Sequence, residues 1–188
     1  MNPLNQFYID LRCYQIPYVE NLAATNDQFE CIDLTENDIS KLDELPHLKR
    51  LESLMIANNR ISQIEPAFGE MCPKLDTLIL TNNRLVKLSD IDDIASCKTL
   101  KRLCLVGNMV ANLQNYRLYT IHKIPTLKSL DYQNITQKER EAAALLFTEK
   151  AEVVAKTEEE AAEMKGIEEE VPEVKKVEPV VPIEEVKE

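Results

Sequence analysis

The sequence predicts an α/β solenoid: a curved parallel sheet, a helical or 3-10 convex side, a C-terminal cap and a final helix. Three observations carry this. Four segments repeat one template: an apolar residue, two others, aliphatic, one, aliphatic, two, asparagine, one, aliphatic. They begin at Phe29, Leu51, Leu75 and Leu100, and their asparagines (Asn37, Asn59, Asn83, Asn108) stand 22, 24 and 25 residues apart. The alternation around residues such as Leu78 and Leu80 has the period of a short strand. The composition is 44% apolar but only 5% aromatic, so the core must be aliphatic.

This template is the leucine-rich-repeat signature. One repeat cannot bury Leu75, Leu78, Leu80 and Leu85, whereas stacked repeats can. Each buried leucine then contributes on the order of 1.5–3 kcal/mol. The asparagine serves the turn after the strand, where N–H and C=O groups lose their ladder partners. An inward amide both donates and accepts, so Asn37, Asn59, Asn83 and Asn108 should form a structural ladder.

The two ends depart from the template. Ile9–Ile16 keeps the strand and closing aliphatic but has Tyr14 in the asparagine slot. Leu127–Tyr132 keeps the strand and lacks the asparagine. Terminal repeats are atypical because each caps an open core edge, so six strands are expected. On the convex side, Pro46 interrupts any helix around Leu42, Leu45 and Leu48. Ile64, Phe68 and Met71 follow the next strand, and residues 89–95 read as a short helix with Ser89 as N-cap. Residues 115–125 form a helical stretch over the last repeat. Thr136-Gln-Lys-Glu139 matches a capping box, so a helix should start there and run to about Lys165, with Gly166 as a stop. The expected organisation is a capped solenoid over 1–135, a helix over 136–165 and an acidic disordered tail over 166–188.

The formal net charge of −11 is unevenly spread: residues 149–188 carry 14 acidic and 6 basic side chains, leaving residues 1–148 near balance. The five cysteines are odd in number and form no CxxC pair, which suits a reduced intracellular chain. No apolar run approaches the ~20 residues of a membrane span, and the N-terminus has no secretory pattern. The two histidines and three scattered glycines offer no metal set, phosphate loop or nucleophile–base pair. A non-catalytic protein with no cofactor, metal or small-molecule substrate is expected.

Side chains between the inward leucines face the other side of the sheet. Read strand by strand, the central column is Asp10, Asp33, Met55, Ile79 and Cys104, which passes from acidic to apolar. Met55 beside Ile79 would expose a hydrophobic patch, of the kind that marks partner sites, and methionine adapts to a bound surface. The expected occupant is an amphipathic helix carrying some basic residues.

The string Leu11-Arg-Cys-Tyr-Gln-Ile-Pro-Tyr-Val-Glu-Asn-Leu-Ala-Ala-Thr-Asn-Asp-Gln-Phe-Glu-Cys-Ile-Asp33 resembles the first-repeat region of the spliceosomal U2 snRNP A-prime family. The "LILTNN" stretch with Asn82-Asn83, Tyr116-Arg-Leu-Tyr119, Ile124–Asp131 and Lys138-Glu-Arg-Glu-Ala142 are similar to it too. Cys13 and Ala23 stand where the family has glycine. The resemblance covers about residues 8–147. It implies a nuclear, non-enzymatic adaptor of pre-mRNA splicing. Its concave face would bind a helix of an RNA-recognition-motif protein of the B-double-prime type and help it hold a U2 small nuclear RNA stem-loop. Carried over by position, the partner face is Asp10, Arg12, Asp33, Met55, Ile79, Thr81 and Cys104. RNA would be read mainly by the partner, with Lys123, Lys128, Lys138, Arg140 and Lys150 as candidate phosphate contacts on this chain.

Two other readings fit a leucine-rich-repeat fold. A phosphatase regulator or acidic nuclear chaperone-like protein is suggested by the acidic tail. That tail interleaves Val, Pro and Lys, whereas such chaperones carry nearly pure Asp/Glu tails. The other is a scaffold of a cytoskeletal complex.

Overall fold

The computed structural model describes residues 7–19, 22 and 26–148. The expected helix beyond residue 148, the tail over 166–188, Lys150 and part of the 20–25 string lie outside them.

The repeat template produces one strand per repeat. β1 (Tyr8–Asp10), β2 (Cys31–Asp33), β4 (Ser53–Met55), β6 (Thr77–Ile79), β7 (Arg102–Cys104) and β8 (Ser129–Leu130) line up in that order, all parallel. These are the six strands the sequence predicts. A further strand, β9 (Gln133–Asn134), turns back antiparallel to β8. The register places Ile9, Ile32, Leu54, Leu78, Leu103 and Leu130 in one inward row. Leu54, Leu78 and Leu130 are completely buried, as are Leu51, Leu75 and Leu100 at the head of the last three templates, whereas Phe29 at the head of the first is half-buried.

The asparagine ladder forms. The Asn59 amide accepts from Ile39 N–H and donates to the Leu34 carbonyl. Asn83 and Asn108 repeat this one and two repeats on, accepting from Ile61 and Leu85 and donating to Ile56 and Leu80. Each amide therefore ties its own turn to the repeat before it. The residue just before each ladder position turns through the left-handed region: Cys13, Glu36, Asn58, Asn82 and Gly107 all have φ between 54° and 79°. Cys13 keeps this geometry at φ 63° without being a glycine. Tyr14 does not enter the slot as a side chain. Its N–H and that of Ile16 donate to Asn37 instead, while its ring is exposed.

The convex side differs from expectation in two places. No helix forms around Pro46, as expected, but just before it β3 (Lys41–Leu42) pairs in parallel with β5 (Gln63–Ile64) as a small second sheet that the sequence did not predict. Helix α1 (Phe68–Met71) follows. Helix α2 (Ser89–Ile94) is present, but Ser89 is not its N-cap; Asp90 accepts the Val86 and Lys87 N–H groups of the preceding turn. A 3-10 turn spans Met109–Asn112 and helix α3 spans Tyr116–Lys123.

The C-terminal end closes through side chains. In earlier repeats the N–H after the strand donates to a carbonyl of the next strand, as Leu80 does to Cys104. Leu105 donates instead to the Asp131 carboxylate at 2.7 Å, whose other oxygen accepts from the Tyr116 hydroxyl at 2.9 Å. The capping box then forms as expected: Thr136 N–H donates to Glu139, and Glu139 N–H donates to the Thr136 hydroxyl. It opens helix α4, which runs over 137–148 within the described residues.

Candidate partner-binding face

The register of β1, β2, β4, β6 and β7 sets Asp10, Asp33, Met55, Ile79 and Cys104 side by side on the concave side. This is the column read from the sequence. At its centre Met55 and Ile79 are half-buried, Met55 flanked by the fully buried Leu54 and Ile56 and Ile79 by the fully buried Leu78 and Leu80. They are direct neighbours in the register, so their outer surfaces form an apolar step in the face.

The N-terminal end of the column is a charge cluster. The Arg12 guanidinium forks onto Asp10, at 2.9 Å and 2.6 Å, and approaches Asp33 at 3.6 Å. The hydrogen bond from Arg12 holds the Asp10 carboxyl down at about 2. Asp33 is 7% exposed, because the Tyr8 hydroxyl and the Thr35 N–H both donate to it. It therefore acts as a fixed anchor of the cluster, and Asp10 and Arg12 present the accessible charge. With Cys13, Tyr14, Thr35 and Glu36 they line a cavity of about 450 Å³.

The other end corrects the sequence reading. Cys104 is in the column but only 1% exposed. Alternation along the strand points it to the concave side, yet the C-terminal cap covers it. The Thr81 hydroxyl lies 3.2 Å from its sulfur, and the Tyr132 phenol interacts with both residues. The interaction with Cys104, joined by partial burial, pushes the Tyr132 phenol up against the opposing effect of Thr81. Tyr132 itself is 73% exposed. Its ring stands at the end of the face where Cys104 was expected.

Tyr132 is a candidate contact that the repeat pattern does not reveal. Asp131 and Tyr132 have φ values of 53° and 62°, the signature of the two-residue primed turn joining β8 to β9. A left-handed backbone disfavours a bulky residue by roughly 1–2 kcal/mol. A strained position with an exposed aromatic at the rim of a face is a recurrent property of binding sites. The sequence signal was the Leu-Asp-Tyr after the last strand, legible only once the turn is known.

The candidate phosphate contacts do not form one group. Lys123 pairs with Asp92 at 3.0 Å and lies over the Tyr119 ring. Arg140 donates to the Pro125 carbonyl at 2.9 Å and also to that of Leu127, fastening α4 to the loop before β8. Lys128 and Lys138 are exposed, and Lys150 lies outside the described residues. Arg140 is thus a structural clasp, and Lys123 is already neutralised.

Fold and face together define a leucine-rich-repeat solenoid with a closed C-terminal cap, and the leucine-rich-repeat family model matches residues 1–159. The chain is 50% identical over 149 residues to the U2 small nuclear ribonucleoprotein A' of Arabidopsis thaliana, covering 79% of this chain and 60% of that protein. It is 47% identical over 146 residues to the Homo sapiens protein of the same name, covering 78% of this chain and 57% of the relative. The crystal structure of the Drosophila melanogaster SNF/U2A' complex contains a chain that is 44% identical with a TM-score of 0.77, covering 83% of this chain and 90% of that one. The chain belongs to the leucine-rich-repeat family and, within it, to the U2 small nuclear ribonucleoprotein A' proteins. It spans about 60% of the length of the curated relatives it matches.

Proposed function

We propose that this chain is a non-catalytic adaptor of the U2 small nuclear ribonucleoprotein, working in the nucleus in pre-mRNA splicing. Its concave face receives an amphipathic helix of an RNA-recognition-motif partner and helps that partner hold U2 small nuclear RNA. The observation that carries this reading is the apolar pair Met55 and Ile79, side by side in the sheet between an acidic end and an aromatic wall. That profile suits a helix with an apolar stripe and a basic end. The Drosophila relative was crystallised as a complex with SNF, which supports a protein occupant for the same family. Asp10, Arg12, Met55, Ile79, Thr81 and Tyr132 would touch the helix, with Asp33 and Cys104 supporting them from below.

The reading is tested by capture from nuclear extract with the tagged full chain. Recovery of an RNA-recognition-motif protein together with U2 RNA is expected. Recovery of a phosphatase catalytic subunit or histones in their place would contradict it.

A further inference from the structure

The first repeat leaves part of the core uncovered. Ile9, Leu11 and Ile16 hold the inward positions that Ile32, Leu34 and Ile39 hold one repeat on. The three later side chains are 0–1% exposed, whereas Ile9, Leu11 and Ile16 are only half-buried. They open into a groove of about 470 Å³, rimmed by the exposed rings of Tyr14 and Tyr18. Among the described residues no charged side chain lines it. At the C-terminal end, by contrast, Leu130 closes the inward row and is completely buried. The backbone beside the groove is open too, because β1 is the edge strand of the sheet. Glu30 and Cys31 N–H donate to the Phe7 carbonyl, and Leu11 N–H donates to the Asp33 carbonyl. Main-chain groups alternate sides along a strand. The odd-numbered residues therefore bond to β2, and the N–H and C=O groups of Tyr8 and Asp10 point away from it. Such a row is a template for another strand.

We infer that β1 and its groove receive an extended segment of the concave-face partner, added as a further strand with aliphatic side chains at alternate positions. The inference deepens the functional reading above and rests on it. Main-chain bonds to Tyr8 and Asp10 supply affinity, and the groove selects the side chains. Alternate side chains of a strand stand about 6.6 Å apart, the spacing of Ile9 and Leu11 along β1, so the incoming strand continues the inward row by one step. A charged side chain would lose its hydration in this groove and gain no counter-charge; an aliphatic one covers the half-buried core. Continuity singles out the partner as the source. Asp10 and Arg12 alternate along β1 with Ile9 and Leu11, and Tyr14 lines both the groove and the charged cavity at the end of the column. A chain leaving the Asp10 end of the column passes over this edge. A solenoid needs its terminal repeats capped, and here complex formation supplies the missing cap.

The test measures amide hydrogen exchange, residue by residue, on the full chain alone and bound to the RNA-recognition-motif protein. The Tyr8 and Asp10 amides should exchange freely in the chain alone and at least roughly tenfold more slowly in the complex. A helix resting only on the concave side chains leaves them open. Tyr18→Ala removes one rim of the groove at an exposed position, so it should melt as wild type while weakening the partner roughly tenfold. Tyr18→Phe should bind as wild type does. Unprotected amides, or wild-type affinity of Tyr18→Ala, in a complex that Met55→Arg still disrupts would overturn the inference and leave the functional reading standing. Protection of the same amides in the chain alone would also overturn it, assigning the edge to cover by the chain itself or by a second copy. A wild-type chain that did not bind the protein would sink both.

Discussion

Asp131 takes the place of a strand that does not exist. Its carboxylate accepts the Leu105 N–H that the next repeat would otherwise satisfy, and it is held in turn by Tyr116. Removing it leaves a part-buried N–H and a buried phenol unpartnered, so Asp131→Ala should lose about 1–3 kcal/mol in denaturant unfolding. Its neighbour Tyr132 should behave in the opposite way. Glycine relieves the left-handed backbone while losing the interactions with Cys104 and Thr81. Tyr132→Gly should therefore change stability by no more than about 1 kcal/mol yet weaken the partner, as read by calorimetric titration. Undiminished affinity would remove Tyr132 from the face. The ladder asparagines could be read from spacing because they recur. Asp131 and Tyr132 could not, because a single terminal residue has no period. Cys104 was misplaced for a related reason: alternation tells which side of the sheet a residue faces, not what lies over that side.

At the scale of elements, α4 depends on Glu139, which closes the capping box and pairs with Arg117 at 2.7 Å. The bonds from Arg117 and then Thr136 hold its carboxyl at about 2, against an ordinary value of 4.5. A depressed carboxyl stabilises fully above its unfolded value and loses that contribution as pH falls through its folded one. Attachment of α4 should thus weaken between about pH 4.5 and about pH 2. Glu139→Gln should weaken it at neutral pH and flatten that dependence, measured by helical ellipticity on acid titration; a steep acid transition retained in the variant would contradict the assignment. Gly69 sets the packing of α1 on the turn after α2. A Cβ there would meet the Ser96 backbone at 2.2 Å, and its N–H bonds the Ser96 hydroxyl. Gly69→Ala should cost about 1–3 kcal/mol by overpacking, seen as a lowered denaturation midpoint. The capping box was legible because its residues are three apart in sequence. The small sheet of β3 and β5 was not, because it needs two extended segments 22 residues apart to meet, and Pro46 says only that a helix is absent.

At the scale of the whole molecule, the described solenoid is closed at its C-terminal end by Asp131 and Tyr116 and leaves the apolar pair on its concave side partly open. Asn83 joins its own repeat, through Leu80, to the one before it, through Ile56 and Ile61. The face then depends on two side chains more than on any others. Met55 and Ile79 are the apolar centre between Asp10 and Tyr132, and residues at such a centre carry most of the energy of an interface. The decisive measurement is the affinity of the RNA-recognition-motif partner for wild type, Met55→Arg and Ile79→Glu, each checked for an unchanged melting temperature. Both variants should lose at least about 2 kcal/mol of binding, on the order of thirtyfold. Wild-type affinity in both would show that the partner does not lie on the concave face.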